Sequence, residues 1–231
     1  MYFPKVLEAI KLKKESRILD VGCALGYFLR LCDDIGCDTY GLDISEYAIS
    51  HAKKQTKAKL YIHDVNKGLP MFPNDMFDLV ILFDIIEHLD SPLLSLRHIR
   101  RTLKIGGKLI ITTPNLNAID RILRRILRKE ETWYGFADAT HVNLFTPSSL
   151  RFLIVRAGFE TVETETPFHT LPKRLKKMAG KTGLGGQIWL VGTKVGSKIP
   201  NSACRNDPNL SSISLQQETA DTSDTRHVKK M

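Results

Sequence analysis

Ile18-Leu19-Asp20-Val21-Gly22-Cys23-Ala24-Leu25-Gly26 carries the chain from an apolar run, through small residues, into the segment 27–35, where Phe28, Leu31, Cys32 and Ile35 recur at helical spacing. That is a buried strand turning into a helix. Small residues at such a turn let the backbone come close to a ligand and leave the first N–H groups of the helix free to meet it. As a dinucleotide fingerprint of the form G-x-G-x-x-G the run fails twice, because Ala24 stands at the second glycine and Tyr27 at the third. As D-x-G-x-G-x-G it keeps Asp20, Gly22 and Gly26 and misses only Ala24.

On both sides of this turn, strand-like and helix-like stretches alternate. Val6–Lys14 reads as a short amphipathic helix. Thr39–Asp43 and Lys59–His63 read as strands, with a helix over Glu46–Lys54 between them. Phe77–Phe83 is apolar apart from Asp78, as suits a central parallel strand covered on both faces. Ser91 and Pro92 open a helix expected to run to about Lys104 and to stop at Gly106-Gly107; Lys108–Thr113 is the next strand. Thr146-Pro147 opens a last helix ending at Gly158, and Phe159–Thr166 and Gln187–Lys194 read as late strands. The alternation predicts a doubly wound α/β sheet.

Composition is consistent with that fold. The chain has 231 residues, 42% of them hydrophobic, enough for one full-sized core. Apolar runs such as Leu79–Phe83 fall far short of the roughly 20 residues of a membrane span. No secretory leader is expected from Met1–Lys5. Cys23, Cys32, Cys37 and Cys204 lack C-x-x-C spacing, so neither a zinc site nor a disulfide framework is expected, and a reduced, cytoplasmic setting follows.

The net charge of +9 is concentrated in patches. Ten basic residues and one acid, Asp120, lie between Arg97 and Lys129, and five basics with no acid lie between Lys173 and Lys181. Residues 118–129 put Ile119, Ile122, Leu123, Ile126 and Leu127 on one helical face and Arg121, Arg124, Arg125, Arg128 and Lys129 on the other. Such a helix serves as a lid over a pocket or as a peripheral contact with anionic membrane. From residue 196 the chain turns polar, and 196–231 is expected to be a disordered tail after a domain spanning 1–195.

The turn at Ile18–Cys23, with Gly41-Leu42-Asp43, Phe77-Asp78-Leu79-Val80 and Leu103-Lys104-Ile105-Gly106-Gly107 after it in order, resembles the class I S-adenosylmethionine-dependent methyltransferases. Asp84-Ile85-Ile86-Glu87-His88-Leu89 and His141-Val142-Asn143-Leu144-Phe145 are similar to the branch that includes the ubiquinone-pathway O-methyltransferases. The resemblance covers residues 16 to about 195. It implies a single Rossmann-like, mostly parallel seven-stranded sheet with the last strand antiparallel, an acceptor-side lid insertion at about 115–146, and S-adenosylmethionine as cofactor.

It also implies site residues. Asp20, Gly22, Ala24 and Gly26 would form the cofactor loop, with Asp20 toward the methionine part. Asp43, 21 residues after Gly22, stands where a carboxylate can accept the ribose hydroxyls, with Ile44 beside it; the plainer alternative is a cap for the helix near Ser45. Asp64 and Val65 fall at the adenine position, and Asp84 closes the cofactor set. Cys23 reads as a small buried hydrophobe. The methyl of Ala24 costs little at negative φ and more if the turn needs positive φ.

On the acceptor side, Glu87, His88 and His141 are the candidate catalytic residues. A base is needed only where the acceptor must lose a proton. Asp84, Glu87 and His88 also match the branch's acidic-x-x-Glu-His pattern associated with a divalent metal, although many members carry Glu-His without one. Trp133, Tyr134 and Phe136 could wall the pocket. The reading is methyl transfer to a small or lipid-linked acceptor, at oxygen. Its rivals are an RNA or protein methyltransferase and a degenerate cofactor-fold binding subunit. Nucleic acid is not the expected partner, because no appended RNA-binding module or Asn-Pro-Pro-Tyr signature is present.

Overall fold

The computed structural model describes residues 12–119, 122, 140–167 and 181–196. In it seven strands form one sheet, β1 (Arg17–Val21), β2 (Asp38–Asp43), β3 (Lys59–Ile62), β4 (Phe77–Phe83), β5 (Leu103–Pro114), β6 (Phe159–Glu165) and β7 (Gln187–Lys194), in the order β3-β2-β1-β4-β5-β7-β6. β1 through β5 pair in parallel, and β7 runs antiparallel to both β5 and β6. This is the doubly wound, mostly parallel seven-stranded fold with its final strand reversed.

Helices cover both faces: α1 (Tyr27–Ile35), α2 (Glu46–Ala52), α3 (Pro92–Thr102) and α4 (Pro147–Arg156). The alternation within each strand supplies both layers. Leu19, Val21, Val80 and Leu82 join Leu96, Ile99, Leu150 and Ile154 of α3 and α4. Ile18, Leu79 and Ile81 join Phe28 and Cys32 of α1 on the opposite face. An apolar strand with period-2 side chains therefore feeds two cores at once. Asp20 follows Ile18 by two residues and shares its face, so the sequence places a carboxylate in the α1 layer.

Helix ends follow local chemistry. Ser45 accepts from the Ala48 N–H at 3.2 Å, and Thr146 and Ser149 form a reciprocal capping box with Pro147 in the first turn. α1 begins and ends at glycines in left-handed conformation, Gly26 (φ 78°) and Gly36 (φ 89°).

Two expected boundaries shift. α3 stops at Thr102 rather than near Lys104, and β5 starts at Leu103 rather than Lys108. Leu103 is fully buried and pairs with Phe77, so burial draws it into the sheet, and the register slips between Phe77 and Leu79. Gly106 (φ 79°) and Gly107 lie within the strand, where a Cβ on Gly107 would stand 2.8 Å from the Lys104 carbonyl oxygen. The glycine pair marks an irregularity in the strand, not the stop of the helix.

The expected helix at Val6–Lys14 falls largely outside the described residues, and its described end, Leu12–Lys14, is not helical. Of the basic stretch 118–129, only Ala118, Ile119 and Ile122 are described; Ile119 and Ile122 are helical, and the Ile122 N–H donates to the Ala118 carbonyl at 3.0 Å. Trp133, Tyr134 and Phe136, and the tail beyond Gly196, lie outside the described residues. Among the described residues no helix is long and apolar enough to cross a membrane.

Candidate active site

The carboxyl ends of β1, β2 and β4 carry the loops that gather the expected residues, as in open α/β sheets generally. After β1, Gly22 (φ 75°), Ala24 (φ 46°) and Gly26 (φ 78°) alternate into left-handed conformation. Ala24 is therefore the costly case: an L-residue sits where glycine is at ease. The absence of a side chain at Gly22 is required by space as well, because a Cβ there would lie 2.1 Å from Ile85 Cδ1. At Gly26 a Cβ would come 3.0 Å from that of Ala52. The loop is thus pressed between α2 and the turn after β4.

Asp43 holds this loop to the next one. Its Oδ2 accepts the Ala24 N–H at 2.9 Å and its Oδ1 accepts the Ser45 N–H at 2.8 Å. Helix α2 is capped by Ser45, so Asp43 does not serve as its cap. Next to it, Ile44 is 74% exposed, an apolar surface left beside a fixed carboxylate. Asp64 spends one oxygen on the Asn66 N–H at 2.9 Å, capping the turn Val65–Lys67, and Val65 is buried beneath it. Cys23 is buried, as expected, and burial together with Asp20 and Asp43 pushes its thiol up, away from reactivity.

Asp20 is 3% exposed, and among the described residues its Oδ1 has no hydrogen-bond partner. Burial, then the charge of Asp43, push its carboxyl up to about 7. A buried carboxylate oxygen without a partner is the kind of group a ligand ammonium or a water satisfies. With a loop closed to any Cβ at Gly22, a two-loop carboxylate at Asp43 and an exposed apolar Ile44, the residues fit a nucleoside bearing an amino-acid tail.

The second half of the site follows β4. Asp84 holds φ 53°, a strained value for a non-glycine, and its backbone N–H donates to the Thr112 carbonyl at 3.0 Å. Gln187 Nε2 donates to Asp84 Oδ1 and Oδ2 at 2.8 and 3.0 Å, and the Thr112 hydroxyl donates to Oδ1 at 3.0 Å. Asp84 is therefore committed to β5 and β7. The acidic and imidazole groups that do converge are Glu87, His88 and His141, whose ligand atoms lie within 4.8 Å of one another. His141 stands with Glu87 and His88 because the chain returns at 140–145 to pair with the turn after β4. The Asn143 N–H donates to the Glu87 carbonyl at 2.9 Å and Asn143 Nδ2 to the Leu89 carbonyl at 2.6 Å.

His88 and His141 face each other with ring centroids 4.8 Å apart at 59°. His88 Nδ1 lies 3.0 Å from the Thr140 carbonyl oxygen. A carbonyl only accepts, so Nδ1 carries the proton and Nε2 holds the lone pair of the neutral ring. Glu87 is 1% exposed; its Oε2 accepts from the Thr113 hydroxyl at 3.0 Å, and among the described residues its Oε1 has no partner. Burial, reinforced by Asp84, pushes Glu87 up to about 7, against the opposing pull of its hydrogen bonds and of His88.

Over residues 2–164 the chain matches the family described as Methyltransferase domain. It belongs to that family. The domain is 29% identical over 156 residues to a ubiquinone biosynthesis O-methyltransferase of Roseobacter denitrificans, covering 65% of this chain and 62% of the relative. It thus spans about three fifths of that relative's length. Among solved structures it superposes on a putative methyltransferase in complex with the Trm112 methyltransferase activator of Haloferax volcanii (TM-score 0.65, 17% identity, 84% of this chain and 90% of that one). It also superposes on an S-adenosylmethionine-dependent methyltransferase from Archaeoglobus fulgidus (TM-score 0.62, 22% identity, 83% and 92%). S-adenosylmethionine is the cofactor of this family, and Asp20, Gly22, Ala24, Gly26, Asp43, Ile44, Asp64, Val65 and Asp84 are the candidates to hold it.

Gln187, Thr112, Thr113 and Thr140 are partners of the site that the sequence reading missed. Gln187 is 103 residues from Asp84 and has no local signal. Asn143 lies within His141–Phe145, and its polar side chain between Val142 and Leu144 is its sign in the sequence.

Proposed function

We propose that the protein transfers a methyl group from S-adenosylmethionine to an oxygen of a small or lipid-linked acceptor. The observation that carries this reading is the pairing of His88 and His141 at the carboxyl end of β4, with the buried Glu87 beside them. When bound, S-adenosylmethionine supplies an electrophilic methyl group on a sulfonium with a neutral thioether as leaving group. The protein's part is to align the acceptor, exclude water and, for a hydroxyl acceptor, take its proton. The Thr140 carbonyl orients His88 so that Nε2 receives that proton. Glu87, as carboxylate, stabilises the imidazolium that results. Asn143 and Thr113 hold Glu87 and the His88 turn in register.

The relative from Roseobacter denitrificans, named for ubiquinone biosynthesis, supports an oxygen on a lipid-linked ring as the acceptor class. A cytoplasmic location, with peripheral membrane contact through residues 118–129, belongs to the same reading. The test is transfer of labelled methyl from S-adenosylmethionine to quinone-precursor, lipid, glycan and RNA extracts. Label in a phenolic or lipid fraction is expected; label in RNA alone would overturn the acceptor assignment.

A second reading rests on the convergence of Glu87, His88 and His141, whose donor atoms suit a divalent cation that would bind the acceptor oxygens. Loss of transfer on chelation, restored by magnesium or zinc, would select it over the histidine base.

A further inference from the structure

Beyond β5, at the same carboxyl end of the sheet, a cavity of about 190 Å³ opens where the start of α4 meets the end of β6 and the approach to β7. It is lined by Ser148, Arg151, Thr164, Thr166, Lys181 and Gly183. Arg151 and Lys181 are its charged residues, both cationic, and among the described residues neither is engaged in an ion pair. Thr164 Oγ1 is buried, yet among the described residues it has no hydrogen-bond partner. The walls of the cavity thus offer two positive charges and the Ser148 hydroxyl and, among the described residues, no carboxylate, at the positive end of a ten-residue helix.

The cavity is tied to the catalytic residues by one buried side chain. Thr113 donates to Glu87, and two residues later Asn115, fully buried, donates from Nδ2 to the carbonyls of Gly183 at 2.8 Å and Gly185 at 2.7 Å. Asn115 also bridges to Phe145, the residue that leads from the His141 run into the cap of α4. The loop that forms one wall of the cavity is therefore fixed to the strand that orients Glu87. At about 190 Å³ the space is below the 300–1,000 Å³ of pockets that enclose whole small molecules. It suits one group of a larger molecule rather than a whole one.

We infer that this cavity is an oxyanion subsite that anchors a phosphoryl group of the methyl acceptor through Arg151, Lys181 and the hydroxyl of Ser148. A doubly charged tetrahedral group answers two cations and a hydroxyl donor better than a planar single-charged carboxylate does. The inference rests on the acceptor lying at His88 and His141, and it narrows that acceptor to a phosphorylated one. The phosphoryl group could be carried by a soluble phosphomonoester or by a phospholipid headgroup; the chemistry recognised is the same.

The experiment is calorimetric binding of inorganic phosphate to the full chain and to Arg151→Gln, Lys181→Gln and the double variant, with S-adenosylhomocysteine titrated in parallel. Each single variant should weaken phosphate binding about tenfold and the double variant should lose it, while S-adenosylhomocysteine affinity holds in all. Glycerol phosphate should displace the phosphate; vesicles of phosphatidic acid displacing it as well would mark a headgroup source, and their failure to do so a soluble one. Wild-type protein that binds no phosphate, or a double variant that binds it unchanged, overturns the subsite. Loss of S-adenosylhomocysteine binding by the wild type would overturn the methyltransferase reading instead, and phosphate binding would report on the cavity independently.

Discussion

The backbone N–H of Ala24 donates to Oδ2 of Asp43 at 2.9 Å, so the loop after β1 is held by a carboxylate at the end of β2. The other oxygen takes the Ser45 N–H. Both oxygens keep a second lone pair for ligand hydroxyls. Asp43→Ala is expected to weaken S-adenosylhomocysteine binding by about 2–4 kcal/mol, the loss of two charge-assisted bonds. Asp43→Asn should lie between, because its single carbonyl oxygen serves only one of the two N–H groups well. Calorimetry on both variants checks this; an unchanged affinity in Asp43→Ala removes Asp43 from the cofactor site.

Ala24→Gly should stabilise the protein. The residue sits at φ 46°, where an L-side chain is strained and glycine is not. Part of the relief is lost to the greater freedom of glycine in the unfolded chain, leaving a gain of about 0.5–1 kcal/mol. Cofactor affinity should hold or improve. A fall in urea midpoint would show that the alanine methyl makes a packing contact that outweighs its strain.

Gly22→Ala meets two obstacles that can be separated. The new Cβ would lie 2.1 Å from Ile85 Cδ1 and 2.6 Å from Cγ1, and φ is 75°. Ile85→Ala removes both offending atoms but leaves the backbone strain. The double variant Gly22→Ala/Ile85→Ala is expected to recover the steric part of the lost cofactor binding and to retain a deficit of about 1 kcal/mol from φ. Strict additivity of the two single changes would deny the contact.

The loop at Asp20–Gly26 was legible because its chemistry is local: an apolar strand, small residues, then helical spacing. Phe77–Phe83 was legible for the same reason. What escaped reading was set by partners distant in sequence. Gln187 meets Asp84 only because β7 inserts antiparallel between β5 and β6, and the start of β5 moved to Leu103 because burial against Phe77 overrode the glycine stop signal. The positive φ of Ala24 was posed as a question by the sequence, and backbone geometry alone could answer it. His141 was named as a candidate, but its convergence with Glu87 and His88 required the return of 140–145 across the β4 turn.

If His88 is the proton acceptor, His88→Ala should lower turnover roughly 10²–10⁴-fold with S-adenosylhomocysteine affinity intact. His88→Gln keeps a polar side chain without imidazole basicity and should not restore the rate. His141→Ala should give a smaller loss, since its ring packs against His88 rather than replacing it. The comparison needs single-turnover rates on one acceptor, and a His88→Ala variant at full rate would leave alignment as the protein's whole contribution.

Stability of the cofactor-free protein should fall as pH rises from acid toward neutrality. Burial pushes Asp20 from 3.8 and Glu87 from 4.5 up to about 7 in the fold. Between those limits the folded state holds protons that the unfolded state has released, so each group opposes folding progressively from about pH 4 to about pH 7. Each tenfold change in proton affinity is worth about 1.4 kcal/mol, so by about pH 8 Asp20 removes roughly 4 kcal/mol of stability and Glu87 roughly 3. Asp78 does not mask the trend. Its partial burial is outweighed by Lys104 and the Arg17 N–H, so it is held below the usual range, and its stabilisation is lost only in stronger acid. Urea titrations from about pH 5 to about pH 8 should therefore show a falling midpoint. Asp20→Asn and Glu87→Gln should each flatten the slope and exceed the wild type at the alkaline end. A flat wild-type profile, or variants that run parallel to it, would mean that these two carboxylates are solvated in the fold and that the site lacks the dry environment a proton transfer to His88 needs.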